Sequence, residues 1–178
     1  MWDFKFLQLC ETVASWSKDP SRKIGSCIVD DRKRVISVGY NGFPSGVLDL
    51  ESRYYNREQK LLYVCHAERN ALDNSPINVE GATLYCTLFP CNECVKSIIQ
   101  RGIKKVVTLF PQDEKKNQLF NYEISNIMLT EAGVEVVQYF VDNYERWKNN
   151  AVYQGIYPIA SQRKQSESDV CEDRWNGS

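Results

Sequence analysis

Four residues in two short segments carry the side chains that metal-assisted hydrolysis needs. In Pro90-Cys91-Asn92-Glu93-Cys94 the two cysteines lie three positions apart, so on a helical first turn both sulfurs face the same way. Pro90 is suited to start that helix. Thiolates near a helix N-terminus are favoured by the positive end of its dipole, which helps to keep them deprotonated for a metal. In Cys65-His66-Ala67-Glu68 the chain's single histidine, His66, supplies a third ligand from the start of another helix. Three protein ligands on zinc leave the fourth tetrahedral position for water, the arrangement of a catalytic rather than a structural ion. Zinc lowers the pKa of such a water from about 15.7 toward about 7. Glu68, two residues beyond His66, is close enough to reach that water without binding the metal.

Each segment alone has a plainer reading. A lone Cys-x-x-Cys occurs by chance, in redox sites and in zinc ribbons, and a lone His beside apolar residues is commonly a satisfied structural residue. Together, each opening a helix, they match the His-x-Glu…Pro-Cys-x-x-Cys signature of zinc nucleobase deaminases. There one carboxylate, here Glu68, takes a proton from water, the oxygen attacks C4 of a cytosine, and the proton passes to N3. Backbone groups near Ala67 and Pro90 are candidates to hold the base edge. Cys65 is out of step with the His-x-Glu spacing, and Cys86, Cys10 and Cys27 read as small core residues. A fourth sulfur from Cys65 or Cys86 would instead make a closed, non-catalytic zinc module.

The elements that must position these groups follow from periodicity. Residues 3–16 place Phe4, Leu7, Val13 and Trp16 at helical intervals, and Ser17-Lys18-Asp19-Pro20-Ser21 ends the helix. Strand-like runs at 25–30 and 34–40, split by Asp31-Arg32-Lys33, read as an antiparallel hairpin. A loop at 41–46 leads into a polar, Tyr-rich stretch to about residue 61. Helices are then expected at 67–73, 91–101 and 122–132, alternating with strands at 83–87, 105–110 and 134–140. That alternation implies crossover units and a partly parallel sheet covered on both faces. Gly102 and Gly133 suit helix C-terminal caps. Residues 1–141 read as one α/β domain. Residues 142–150 read as a further helix, and the aperiodic polar run 161–169 as a mobile tail.

Composition bounds the function. The 178 residues carry 22 Lys+Arg against 23 Asp+Glu, a formal net charge of −1, with 43% hydrophobic and 25% charged residues. This excludes disorder across the chain and argues against holding long nucleic acid through a basic, aromatic-interleaved groove. No run approaches the roughly 20 apolar residues of a membrane span, and the first residues lack a signal peptide's plan. An intracellular protein is expected, in which seven cysteines, Cys171 included, serve as reduced core residues or metal ligands.

From about residue 4 to residue 140 the chain resembles the deoxycytidylate (dCMP) deaminases of the cytidine deaminase-like superfamily. The likeness rests on Ser17-Lys18-Asp19-Pro20, Gly39-Tyr40-Asn41-Gly42-Phe43-Pro44-Ser45-Gly46, Tyr63-Val64-Cys65-His66-Ala67-Glu68-Arg69-Asn70-Ala71 and Leu88-Phe89-Pro90-Cys91-Asn92-Glu93-Cys94. The resemblance implies a three-layer α/β/α sandwich around a five-stranded mixed sheet and zinc-dependent hydrolysis of dCMP to dUMP and ammonia, feeding thymidylate synthesis. It implies one Zn2+ per subunit on His66, Cys91 and Cys94, Glu68 as proton shuttle, and Asn41 against the sugar. It also implies a cytoplasmic homohexamer activated by dCTP with Mg2+ and inhibited by dTTP. The effector would lie at the loop holding Gly39, Tyr40, Gly42, Pro44 and Gly46. For the 5′-phosphate, Arg22 and Lys23 offer cations and Ser21 a hydroxyl, though the same three residues also read as a solvated turn. The chain departs from the family after Val107, where Phe110 stands as an apolar wall and Asp113 and Glu114 are poor neighbours for a phosphate. A 5-modified dCMP or a base in single-stranded nucleic acid are the alternative substrates.

Overall fold

The computed structural model describes residues 1–110 and 121–149. The chain runs α1 (Trp2–Ala14), β1 (Gly25–Val29), β2 (Val35–Tyr40), α2 (Glu51–Tyr55), α3 (Arg57–Tyr63) and α4 (Ala67–Asp73). It continues through β3 (Thr83–Cys86), α5 (Asn92–Gln100), β4 (Lys105–Phe110), α6 (Tyr122–Glu131), β5 (Glu135–Phe140) and α7 (Val141–Asn149). The five strands form one mixed sheet in the order β2-β1-β3-β4-β5. β1 pairs antiparallel with β2 and β3, whereas β3, β4 and β5 are parallel, joined by the α5 and α6 crossovers.

Period-two side chains divide two cores across this sheet. On β3, Leu84 and Cys86 enter the core that holds Ala71 and Leu72 of α4, Val95 and Ile98 of α5, and Leu129 of α6. Tyr85 enters the opposite one with Phe4, Leu7 and Cys10 of α1 and Tyr144 of α7. Burying each large apolar side chain is worth roughly 1.5–3 kcal/mol, so both helical layers are held by several such contacts. α7, set apart from the domain by the sequence reading, thus contributes a fully buried Tyr144, whose hydroxyl donates to Glu11 at 3.0 Å. The run 161–169 lies outside the described residues.

Three local differences from the sequence reading matter. Pro90 does not begin α5: Cys91 is the N-cap, and Pro90 precedes it. The fixed φ of proline still sets the entry of the chain, one residue earlier than expected. The Tyr-rich stretch contains two short helices, α2 and α3, whose apolar residues are too few to show helical periodicity. α1 stops at Ala14, with Ser15 as C-cap, so Trp16 lies outside the helix and is 52% exposed.

Gly39 settles how α4 meets the sheet. A Cβ at this position would lie 2.3 Å from both Ala67 O and Ala71 N, so only glycine lets the helix backbone rest directly on β2. Gly102 and Gly133 close α5 and α6 with φ of 70°, as their sequence positions suggested.

Candidate active site

Two helix N-termini meet at the end of the sheet. His66 is the N-cap of α4, with extended backbone at φ −74°, ψ 154°. An antiparallel bridge between Gly42 and Cys65 holds the preceding residue, with Cys65 N donating to Gly42 O at 2.8 Å. Cys91 caps α5 with φ −70°, ψ 165°, and Cys94 follows in its first turn. Glu68, in the first turn of α4, is 4% exposed.

The donor atoms converge. His66 Nδ1 lies 3.4 Å from Cys91 Sγ and 3.4 Å from Cys94 Sγ. Tetrahedral zinc with its usual bond lengths requires N···S edges of roughly 3.6 Å, so the three donors fit that ion. Among the described residues His66, Cys91 and Cys94 are the one such grouping of metal-ligating atoms, all within 4.8 Å of one another. Cys65 and Cys86 do not join it. Cys86 is fully buried and donates to Leu88 O at 2.9 Å, while Cys10 and Cys27 sit 3.5 Å apart in the α1 core.

The three donors hold protons between them that a bound cation would displace. The hydrogen bond from Cys94 draws the Cys91 thiol down to about 4, with His66 adding to the effect. Cys94 is pushed up by the same contact and by burial, so the pair keeps one proton where a divalent cation would displace it. The contact with Cys91 raises His66 to about 9. Burial pushes the Glu68 carboxyl above its ordinary range. Its Oε2 accepts from Cys94 Sγ at 3.7 Å, which sets the carboxylate beside the donor set and outside it. A carboxyl that holds a proton readily, next to a metal site with three protein ligands, can shuttle that proton between water and a bound substrate.

A cavity of about 540 Å³ opens over these groups. His66, Ala67, Glu68 and Cys91 line it, with Ile24, Leu88, Phe89 and Tyr122 as apolar and aromatic wall. Phe89 meets the Tyr122 ring edge-on at 5.3 Å. Asn41 also lines the cavity, yet its amide is engaged internally: Oδ1 accepts from Ile24 N at 2.7 Å, and Nδ2 donates to Arg22 O at 2.9 Å and Asp19 Oδ2 at 3.3 Å. One lone pair on Oδ1 remains for an incoming donor.

The other expected site residues divide. Ser21 and Arg22 line the cavity, whereas the exposed Lys23 and the buried Pro90 do not. None of Gly39, Tyr40, Gly42, Pro44 and Gly46 lines it. Gly39 is taken up by the contact with α4, Tyr40 meets Trp16 edge-on at 6.1 Å, and Pro44 O accepts from Val47 N in the turn where Gly46 has φ 84°. The Phe110 side chain, Asp113 and Glu114 lie outside the described residues. Missed from the sequence were Tyr54, Arg57 and Lys60, which α2 and α3 bring to the cavity. The available signal was Asn56 with Gln59 three residues on, a helix-start spacing; Asn56 Oδ1 does accept from Gln59 N at 3.1 Å.

Residues 1–110 match the family model described as the cytidine and deoxycytidylate deaminase zinc-binding region. A probable deoxycytidylate deaminase of Drosophila melanogaster is 41% identical over 145 residues, covering 75% of this chain and 70% of that protein. The deoxycytidylate deaminase of Homo sapiens is 43% identical over 112 residues, 60% of this chain and 63% of that one. Among solved structures, the dCMP deaminase of cyanophage S-TIM5 in complex with dCMP and dUMP superposes with a TM-score of 0.59 at 28% identity, covering 75% of this chain and 93% of that chain.

Proposed function

The chain belongs to the zinc-binding cytidine and deoxycytidylate deaminase family, and on that footing we propose that it hydrolyses dCMP to dUMP and ammonia. The observation that carries this reading is the buried Glu68 carboxylate set beside, and not within, the His66-Cys91-Cys94 donor group on the wall of a nucleotide-sized cavity. Zinc held by His66, Cys91 and Cys94 would supply a water acidic enough to serve as nucleophile near neutral pH. Glu68 accepts a proton from water and delivers it to N3 of the cytosine as the C4–O bond forms. Glu68 then takes the proton of the new C4 hydroxyl and passes it to the exocyclic amine, so that the C4–N bond breaks, ammonia leaves and the C4 carbonyl closes. Glu68 serves both as base and as acid.

Substrate contacts are assigned on the cavity wall. Backbone groups at Ala67 and next to Pro90 hold the base edge, the free lone pair of Asn41 accepts from a sugar hydroxyl, and Arg22 with Ser21 receives the 5′-phosphate. Lys23, outside the wall, is left out of this assignment. The reading extends to regulation by dCTP with Mg2+ as activator and dTTP as inhibitor, at the loop of Tyr40, Gly42, Pro44 and Gly46. It extends equally to a homohexamer working in the cytoplasm. The resemblance of that loop to the family supports the regulatory part. dCMP saturation curves with and without each effector test the regulation, and indifference to both would leave a constitutive enzyme. The core of the reading is tested by measuring ammonia release from dCMP by protein of known zinc content. Absence of release from zinc-loaded protein overturns it.

A further inference from the structure

One buried ion pair stands apart from the catalytic group. Lys60 Nζ lies 3.1 Å from Asp19 Oδ1, with the two side chains only 10% and 5% exposed. Every other described ion pair has a side chain more than half exposed. A buried pair gains little stability over apolar residues of the same volume, so its value here lies in what it holds in place.

What it holds is one side of the cavity. Asp19 Oδ1 also accepts from Ser21 N at 2.8 Å and Arg22 N at 3.3 Å, and Oδ2 accepts from Asn41 Nδ2 at 3.3 Å. Lys60 Nζ donates again to Ser21 Oγ at 3.1 Å. Three segments distant in sequence — the turn after α1, the end of β2 and helix α3 — are therefore tied by one carboxylate and one ammonium, both lining the cavity. Of the other cationic groups there, Arg22 and Arg57 have guanidinium groups with no hydrogen-bond or ion-pair partner among the described residues. With Lys60 paired to Asp19, these two guanidinium groups are the unpaired ones on the wall, a match for a phosphate monoester carrying close to two negative charges.

We infer that Lys60 and Asp19 are a positioning pair that preorganises Ser21, Arg22 and Asn41 for the sugar-phosphate part of a nucleotide monophosphate, and so sets the preference for the nucleotide over the nucleoside. The inference rests on the dCMP reading for its ligand. Neither residue takes part in the proton transfers.

The test compares wild type with the charge-free double variant Lys60→Met/Asp19→Asn, and with Asp19→Asn alone, which keeps the turn's amide contacts should the double variant not fold. Calorimetric dCMP binding is measured on zinc-loaded protein alongside turnover of dCMP and deoxycytidine. Loss of preorganisation weakens dCMP binding at least about tenfold and lowers the dCMP-to-deoxycytidine ratio of kcat/KM by a similar factor, with zinc content retained. Binding within about threefold of wild type overturns the inference. So does an equal loss on both substrates or a loss of zinc, since either marks a general structural role. Wild-type protein that binds dCMP without releasing ammonia overturns the proposed reaction and leaves the positioning role to be decided by binding alone. A wild type that does not bind dCMP overturns both.

Discussion

His66 and Cys91 occupy the same position in two different helices: each is an N-cap with extended backbone, and their donor atoms lie 3.4 Å apart. An N-cap side chain ordinarily bonds the free N–H groups of its own first turn, and neither of these does. Both are turned toward each other instead, at the positive ends of two helix dipoles that favour thiolate and carboxylate. Cys94 and Glu68, each in its helix's first turn, complete the group from either side.

Glu68→Gln removes the proton carrier while keeping the shape of the side chain. The variant retains its zinc, read by elemental analysis, and deaminates dCMP at least about 100-fold more slowly than wild type. Unchanged turnover would remove Glu68 from the reaction.

Cys94→Ala takes one donor from the metal group and leaves Cys91 and His66 facing each other. Zinc content falls far below one ion per chain, and the thermal midpoint drops, because the energy of metal binding is also folding energy. A chelator applied to wild type produces the same two changes. Stoichiometric zinc in the variant would show that the ligand set lies elsewhere.

Gly39→Ala tests the seating of α4. The added methyl meets Ala67 O and Ala71 N at 2.3 Å, both backbone atoms that cannot rotate away. Overpacking of this kind costs about 1–3 kcal/mol in urea unfolding. Zinc retention also falls, since the zinc donor His66 caps α4. A variant with wild-type stability would mean that β2 and α4 can separate freely.

Alkaline stability follows from buried phenols. Burial, reinforced by Asp49, raises Tyr54 to about 12, and burial raises Tyr85, Tyr122, Tyr139 and Tyr144 further. Above the ordinary phenol value of 10.0 the unfolded chain releases these protons while the folded chain still holds them. The folded state then binds more protons than the unfolded one, so stability is intact below about pH 10 and falls as pH rises from there. Ultraviolet titration of the ten tyrosines should show a delayed group ionising together with unfolding. Ionisation of all ten near the ordinary value in folded protein would contradict the burial.

Much of this was legible because the chemistry is local. The Cys-x-x-Cys and His-x-Glu spacings put each pair at one helix start, and strand–helix alternation announced the parallel half of the sheet. What the sequence hid was long-range. Nothing local marks Lys60 as the partner of Asp19, 41 residues away, because a lysine in a polar stretch ordinarily stays in solvent. The two helices that carry Tyr54 and Lys60 are too short for periodicity to show. Lys23 looked equivalent to Arg22, and only the direction in which the chain leaves the Asp19 turn separates them. Gly39 sat within a loop motif, and its close approach to α4 could be seen only once both elements were in place.

The central claim is tested most directly by a side-by-side assay of zinc-loaded protein on dCMP, 5-methyl-dCMP, dCTP, cytidine and a cytosine-containing oligonucleotide. The account predicts that dCMP is converted to dUMP with one ammonia released per nucleotide, and that the oligonucleotide is left unchanged. Turnover of the oligonucleotide alone would contradict it.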